Sequence, residues 1–188
     1  MNLPNKLTVA RIILTPFYLL AMLIHLENNI NYLIAAFIFI AASLTDFLDG
    51  KIARKNGLVT TFGKLCDPLA DKMLTTAALL AFMHLDVCNI WIVMIVLTRE
   101  FLITSFRLVA AAQGVVIAAG KSGKLKTASQ MIFSIFIMFL LFFADILGLE
   151  HTTVSIISNS LLGITAVLTV ISGTKYIIDG KKVIDFSK

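Results

Sequence analysis

Six apolar runs, joined by short polar connections, leave this chain few ways to fold. Windows of about 19 residues place the runs near 8–25, 30–48, 65–84, 89–112, 127–149 and 153–178. A membrane-crossing helix needs about 20 apolar residues, so six of them occupy most of the 188 residues. No second soluble domain fits, and the expectation is one transmembrane domain over 1–188. The runs are continuous rather than alternating, and a bilayer admits only helices or closed barrels. The expected fold class is therefore all-α, an integral membrane protein with six transmembrane helices. At 14% charged residues and mean hydropathy +0.94 the composition is far from that of a soluble domain, where about a quarter of residues are charged. The first run has no small-residue cleavage pattern after it and precedes five others, which predicts a retained helix rather than a signal peptide. Pro16 is expected to kink it.

Charge placement predicts orientation. Lys51, Arg54, Lys55, Lys64, Lys121, Lys124, Lys126, Lys175, Lys181, Lys182 and Lys188 fall in or beside the loop between runs two and three, the loop between four and five, or the C-terminal tail. The opposite loops carry no Lys or Arg and hold His25, Glu27, His84, Asp86, Glu150 and His151 instead. By the positive-inside rule the basic loops and both termini face the cytoplasm of a multi-pass cell-membrane protein. The net charge of +5 then reflects topology and attraction to anionic lipid headgroups, with no nucleic-acid partner expected. Cys66 and Cys88 are too few for a disulfide scaffold or a Cys-rich zinc site and read as small apolar fillers.

Four carboxylates stand out between residues 46 and 71, in DFLDGKIARKNGLVTTFGKLCDPLAD. Asp46 and Asp49 are three apart, Asp67 and Asp71 four apart, so each pair projects from one helix face. Asp46 lies about 24 Å along the second run, near the cytoplasmic edge of the apolar core, where the third run begins again. Four acids at one depth in a low-dielectric bundle repel one another unless a cation compensates them. Oxygen donors without His or Cys suit Mg²⁺, Mn²⁺ or Ca²⁺, and two carboxylate pairs are enough for two ions. Gly50 and Gly63 open the backbone beside these acids to a ligand or to a neighbouring helix. Arg54 suits a phosphate next to the ions, or an anchor at the membrane edge.

Asp46, Asp49, Gly50, Ala53, Arg54, Gly63, Asp67 and Asp71 match, with every spacing kept, the DxxDGxxAR(x)8GxxxDxxxD signature of the CDP-alcohol phosphatidyltransferases, which the chain resembles. The resemblance implies six transmembrane helices, a homodimer, and metal-dependent transfer of a phosphatidyl group from CDP-diacylglycerol to an alcohol with release of CMP. It implies two divalent cations, Mg²⁺ or Mn²⁺, with Asp46, Asp49 and Asp67 as ligands and Asp71 as general base that also touches a metal. A metal-bound carboxylate is a weak base, so orienting the hydroxyl and deprotonating it both stay open for Asp71. Gly50 and Arg54 correspond to CDP contacts. Asn5, Thr8 and Arg11 resemble the family's N-terminal contribution to the CDP-lipid site, and Gly63 and Thr60 are further candidates there.

The acceptor alcohol is a separate question. Arg99 and Arg107 lie inside the fourth run, where an arginine is costly unless it meets an anion or a water-filled cavity. Two readings stay open, an ion pair with Glu100 or another carboxylate, and a phosphate pocket built from Arg99, Arg107, Lys124 and Lys126. The segments NLPNKLTVARIILTPF, LTREFLITSFRLVAA and GKLKTASQM resemble the branch of the family whose acceptor is sn-glycerol 3-phosphate. Phosphatidylglycerol or inositol phosphate as acceptor are the alternatives within the family. A cation or proton transporter would also bury carboxylates, but near the midplane and with repeated halves.

Overall fold

A computed structural model describes residues 2–56, 61–113 and 120–180, without the side chains of 3, 4, 46–56, 61–68, 71, 112 and 121. The described residues form α1 (Leu3–Leu23), α2 (Ile30–Asn56), α3 (Thr61–His84), α4 (Ile90–Ala112), α5 (Lys121–Ala144) and α6 (His151–Gly180), with a 3-10 turn at Glu27–Asn29 and no strand. Asn5–Leu23, Glu27–Thr45, Ser122–Ala144 and His151–Gly180 are long and apolar enough to cross a membrane. The other two helices have 24 and 23 residues and carry more charge, including Arg99, Glu100 and Arg107 in α4.

The helices extend past the apolar runs at their charged ends because backbone hydrogen bonding does not stop where hydropathy does. Lys121, Lys124 and Lys126, expected in a loop, belong to the first turns of α5, and Lys51, Arg54 and Lys55 to the last turns of α2. In the other direction α5 stops at Ala144, short of the expected 149. There Gly148 takes a left-handed φ of 61° and the Leu149 N–H returns to the Ala144 carbonyl at 2.9 Å, the geometry that closes helix C-termini. Asp86 does the same after α3, with φ 57° and Val87 N–H to the Phe82 carbonyl at 3.0 Å. α4 restarts at Asn89, whose side chain accepts from Trp91 N–H at 2.9 Å and so satisfies one of the orphan donors of the first turn. α1 runs through Pro16 as one helix.

The α1–α2, α3–α4 and α5–α6 connections meet at one end of the bundle. Asn29 Nδ2 donates to Asp145 Oδ2 at 2.5 Å, Ser155 Oγ to the Asp86 carbonyl at 2.8 Å, and Asn89 N–H to Asn159 Oδ1 at 2.7 Å. His151 Nε2 lies 3.1 Å from the Leu85 carbonyl. Neighbours in sequence are therefore antiparallel, whereas α4 and α6 run parallel, Asn89 meeting Asn159, Arg99 meeting Ser172 and Arg107 meeting Tyr176. Glycine permits this pair its close approach, for a Cβ on Gly180 would overlap the Phe106 ring.

α1 packs on α2 and α3, while α5 joins α2 to α6. Small residues line these contacts: Ala35, Ala36 and Ala42 on α2, and Ala70, Ala77, Ala78 and Ala81 on α3 are all buried. With no water to expel between helices in lipid, such residues favour association by letting backbones approach. Tyr18, Phe39, Phe82, Ile137, Met138 and Leu162 fill the remaining core, with the Tyr18 and Phe39 ring centroids 5.6 Å apart.

Cys88 is buried in the α3–α4 turn, and burial pushes its thiol up to about 12. Only the thiolate is a competent nucleophile. In a Cys66→Ser background, folded protein at pH 8 should therefore alkylate with iodoacetamide far more slowly than the same protein in denaturant, as read by mass spectrometry.

Candidate functional site

The N-terminal candidates form one buried face of α1. Asn5 is 7% exposed, and Thr8 and Arg11 are fully buried; each is engaged in an interaction. Thr15, one turn beyond, donates to the Arg11 carbonyl at 2.9 Å. An arginine fully inside an apolar bundle is tolerated only beside groups that answer its charge. The Tyr18–Phe39 pair sets the register between antiparallel α1 and α2. Stepping back along α1 and forward along α2 by equal amounts brings Arg11 level with Asp46, and Thr8 level with Asp49.

The four signature acids are described by helix only. Asp46 and Asp49 lie on α2, Asp67 and Asp71 on α3, and these helices touch each other. Asp49 and Asp67 are each about 10 Å from the facing ends of α2 and α3, and Asp46 and Asp71 each about 15 Å, at 1.5 Å rise per residue. Both pairs are thus at matching depth, and an all-carboxylate set of this kind fits hard divalent cations. The side chains of Asp46, Asp49, Arg54, Asp67 and Asp71, and the surroundings of Gly50 and Gly63, lie outside the described residues, as does Thr60 altogether.

A second polar cluster is described in full. Glu100 of α4 accepts through Oε1 from Lys126 Nζ of α5 at 2.6 Å and from Arg99 Nη1 at 3.1 Å. Its main-chain carbonyl accepts from Lys72 Nζ of α3 at 3.2 Å. Arg99 Nη2 reaches Ser172 Oγ of α6 at 3.3 Å. The Lys126, Arg99 and Glu100 side chains are 2%, 14% and 23% exposed, so water screens them little. Lys126 and Arg99 thus meet the Glu100 carboxylate, and Lys72 meets the main-chain carbonyl of the same residue. Arg99 Nε is buried without a hydrogen-bond partner among the described residues, and such a donor in apolar surroundings suits an anionic ligand.

Of the residues read from the sequence as a phosphate pocket, the structure brings Arg99 and Lys126 together. Arg107 is exposed, with Nε donating to Tyr176 Oη at 3.0 Å and the guanidinium 5.4 Å from that ring centroid. Lys124 is exposed, on a different side of α5 from buried Lys126. The Arg99–Glu100 ion pair, one of the two readings for this arginine, is present. Sequence reasoning missed Lys72 and Ser172. Lys72 directly follows the signature, and no local pattern tells which of the hydroxyls along α6 meets α4.

Residues 1–174 match the family described as CDP-alcohol phosphatidyltransferase. The chain belongs to the CDP-alcohol phosphatidyltransferase family. It is 45% identical over 141 residues to a CDP-diacylglycerol–glycerol-3-phosphate 3-phosphatidyltransferase of Bacillus subtilis (strain 168), covering 70% of this chain and 73% of the relative. A protein of the same name from Rickettsia felis is 38% identical over 178 residues, 93% of each chain. A probable phosphatidylglycerophosphate synthase of Mycobacterium tuberculosis is 34% identical over 177 residues, 94% of this chain and 80% of the relative.

The buried pair has a measurable structural share in this family member. Lys126→Met withdraws the shortest contact of Glu100 and leaves a mostly buried carboxylate with less compensation, which should cost about 2 kcal/mol of stability. A lower thermal midpoint in detergent is the expected readout, whereas Lys124→Met should leave the midpoint in place.

Proposed function

We propose that the chain is a phosphatidylglycerophosphate synthase, transferring the phosphatidyl group of CDP-diacylglycerol to sn-glycerol 3-phosphate with release of CMP. The observation that carries this reading is 38% identity across 93% of both chains to a relative named for that reaction. The Arg99–Lys126 cluster supports it, since the acceptor carries a phosphate that a neutral alcohol lacks. In this reading all six helices cross the cell membrane, both termini and the active site face the cytoplasm, and the enzyme works as a homodimer.

The acyl chains of CDP-diacylglycerol remain in lipid beside the bundle. Its nucleotide and diphosphate are held by Asn5, Thr8, Arg11, Gly50, Arg54, Thr60 and Gly63. Asp46, Asp49, Asp67 and Asp71 hold two Mg²⁺ or Mn²⁺ ions, which when bound supply Lewis-acid neutralisation of the diphosphate. Arg99 and Lys126 bind the acceptor's phosphate, while Arg107 and Lys124, read from the sequence as part of the same pocket, lie apart from it. Asp71 orients the C1 hydroxyl and accepts its proton. The hydroxyl oxygen bonds to the lipid-bearing phosphorus, and the bond from that phosphorus to the bridging oxygen breaks. CMP departs with that electron pair.

Purified protein in mixed micelles should release CMP from CDP-diacylglycerol only when both sn-glycerol 3-phosphate and Mg²⁺ or Mn²⁺ are supplied. Release driven equally by inositol phosphate or phosphatidylglycerol would assign another acceptor, and no release with any of them would remove the enzymatic reading. Asp71→Asn should abolish turnover while largely sparing CDP-diacylglycerol binding. Equal loss of both would move Asp71 into the metal shell alone.

A further inference from the structure

The three nitrogens of the Arg99 guanidinium are used unequally. Nη1 is occupied by Glu100 and Nη2 makes a long bond to Ser172 Oγ, while Nε is buried with no hydrogen-bond partner among the described residues. Nε and Nη2 form the side-on fork with which arginine grips two oxygens of a phosphate or carboxylate. Nη2 has two N–H groups, so one can stay on Ser172 while the other completes the fork. A buried donor left empty is costly, and an oxyanion on that edge would satisfy it.

What aims this edge lies largely on α6. Ser172 is 2% exposed, accepts from Arg99 and donates to the Thr169 carbonyl at 3.2 Å, which fixes its hydroxyl. Gly173, the next residue, is buried. A Cβ there would come 3.0 Å from Arg99 Cγ and 3.8 Å from Nε. Across the site a Cβ on Gly123 of α5 would come 3.6 Å from Nη2. Arg99 is thus clasped by Glu100 at one nitrogen and by Ser172 at another, with its stem against a glycine that leaves it room.

Resting on the proposed acceptor site, we infer that Ser172 and Gly173 are positioning residues for the acceptor. They hold Arg99 so that its Nε/Nη2 fork is presented to the phosphate of a phosphorylated alcohol. Neither residue lies in the carboxylate signature, and neither carries charge. Changing them therefore alters the aim of Arg99 without altering the electrostatic balance with Glu100 and Lys126.

The test is steady-state CMP release by the full chain in mixed micelles, varying sn-glycerol 3-phosphate and CDP-diacylglycerol in turn. Ser172→Ala and Gly173→Ala should each raise KM for sn-glycerol 3-phosphate about tenfold, the weight of one charge-assisted hydrogen bond. The kcat at saturating acceptor and the KM for CDP-diacylglycerol should stay in place, and Ser172→Thr, which keeps the hydroxyl, should restore the acceptor KM. A fall in kcat, or both KM values rising together, would make the role one of packing and overturn the inference. Arg99→Gln separates the two levels. If it raises the acceptor KM while the α6 variants do not, the phosphate is on Arg99 but α6 does not aim it. If Arg99→Gln leaves the acceptor KM unmoved, the proposed acceptor site itself falls. Should Ser172→Ala fail to fold, Gly173→Ala and Ser172→Thr decide alone.

Discussion

The carboxylate of Glu100 is what allows cationic side chains from neighbouring helices to sit inside this bundle. Lys126 is almost wholly buried and Arg99 nearly so, and charges there are tolerated only where Coulomb attraction and hydrogen bonds repay lost hydration. One oxygen serves both cations, and the main-chain carbonyl of the same residue takes Lys72. Four helices are drawn to one point in this way, α3, α4 and α5 directly and α6 through Arg99 and Ser172. The arrangement leaves Arg99 Nε buried without a hydrogen-bond partner among the described residues, a poor choice for stability alone and a suitable one for meeting an anion.

Lys72 directly follows Asp71 on α3 and reaches the backbone of α4, so the acid-bearing helix and the cation-bearing helix share a contact. The buried face of α1, which packs on α2 and α3, brings Arg11 and Thr8 to the levels of Asp46 and Asp49. Alanine-lined interfaces permit these approaches, and at one end of the bundle side-chain to backbone bonds tie the connections together. A lipid diphosphate and a phosphorylated alcohol are both strongly anionic. A site for the two needs its positive charge divided between separate places, and in the proposed reading Arg11 on α1 and Arg99 on α4 are those places.

Much of the fold was legible in the amino-acid sequence. Apolar runs near 20 residues predict helices, and six long helices are found with bounds displaced chiefly at their charged ends. Lys121 to Lys126 read as a loop because hydropathy reports what lipid would accept, whereas a helix continues as long as its backbone bonds can form. Of the acceptor candidates, Arg99 stood out because charge inside an apolar run is rare, whereas Lys126 was read as part of a basic loop and its burial was not legible. Ser172 and Gly173 did not stand out, because a serine beside a glycine in an apolar helix has no signature until its neighbour across the interface is known.

By itself, the sequence determined the helical, membrane-embedded class, the carboxylate signature and the spacing that sets each acid pair on one helix face. These follow from local periodicity and from the short range over which neighbouring residues constrain one another. Only the tertiary structure decided that α4 and α6 run parallel and in contact, that Glu100 gathers Lys126 and Arg99, and that Arg107 turns outward to Tyr176. Those outcomes depend on which helix faces meet and in what register. Packing between segments far apart in the chain sets both, and no local pattern encodes them.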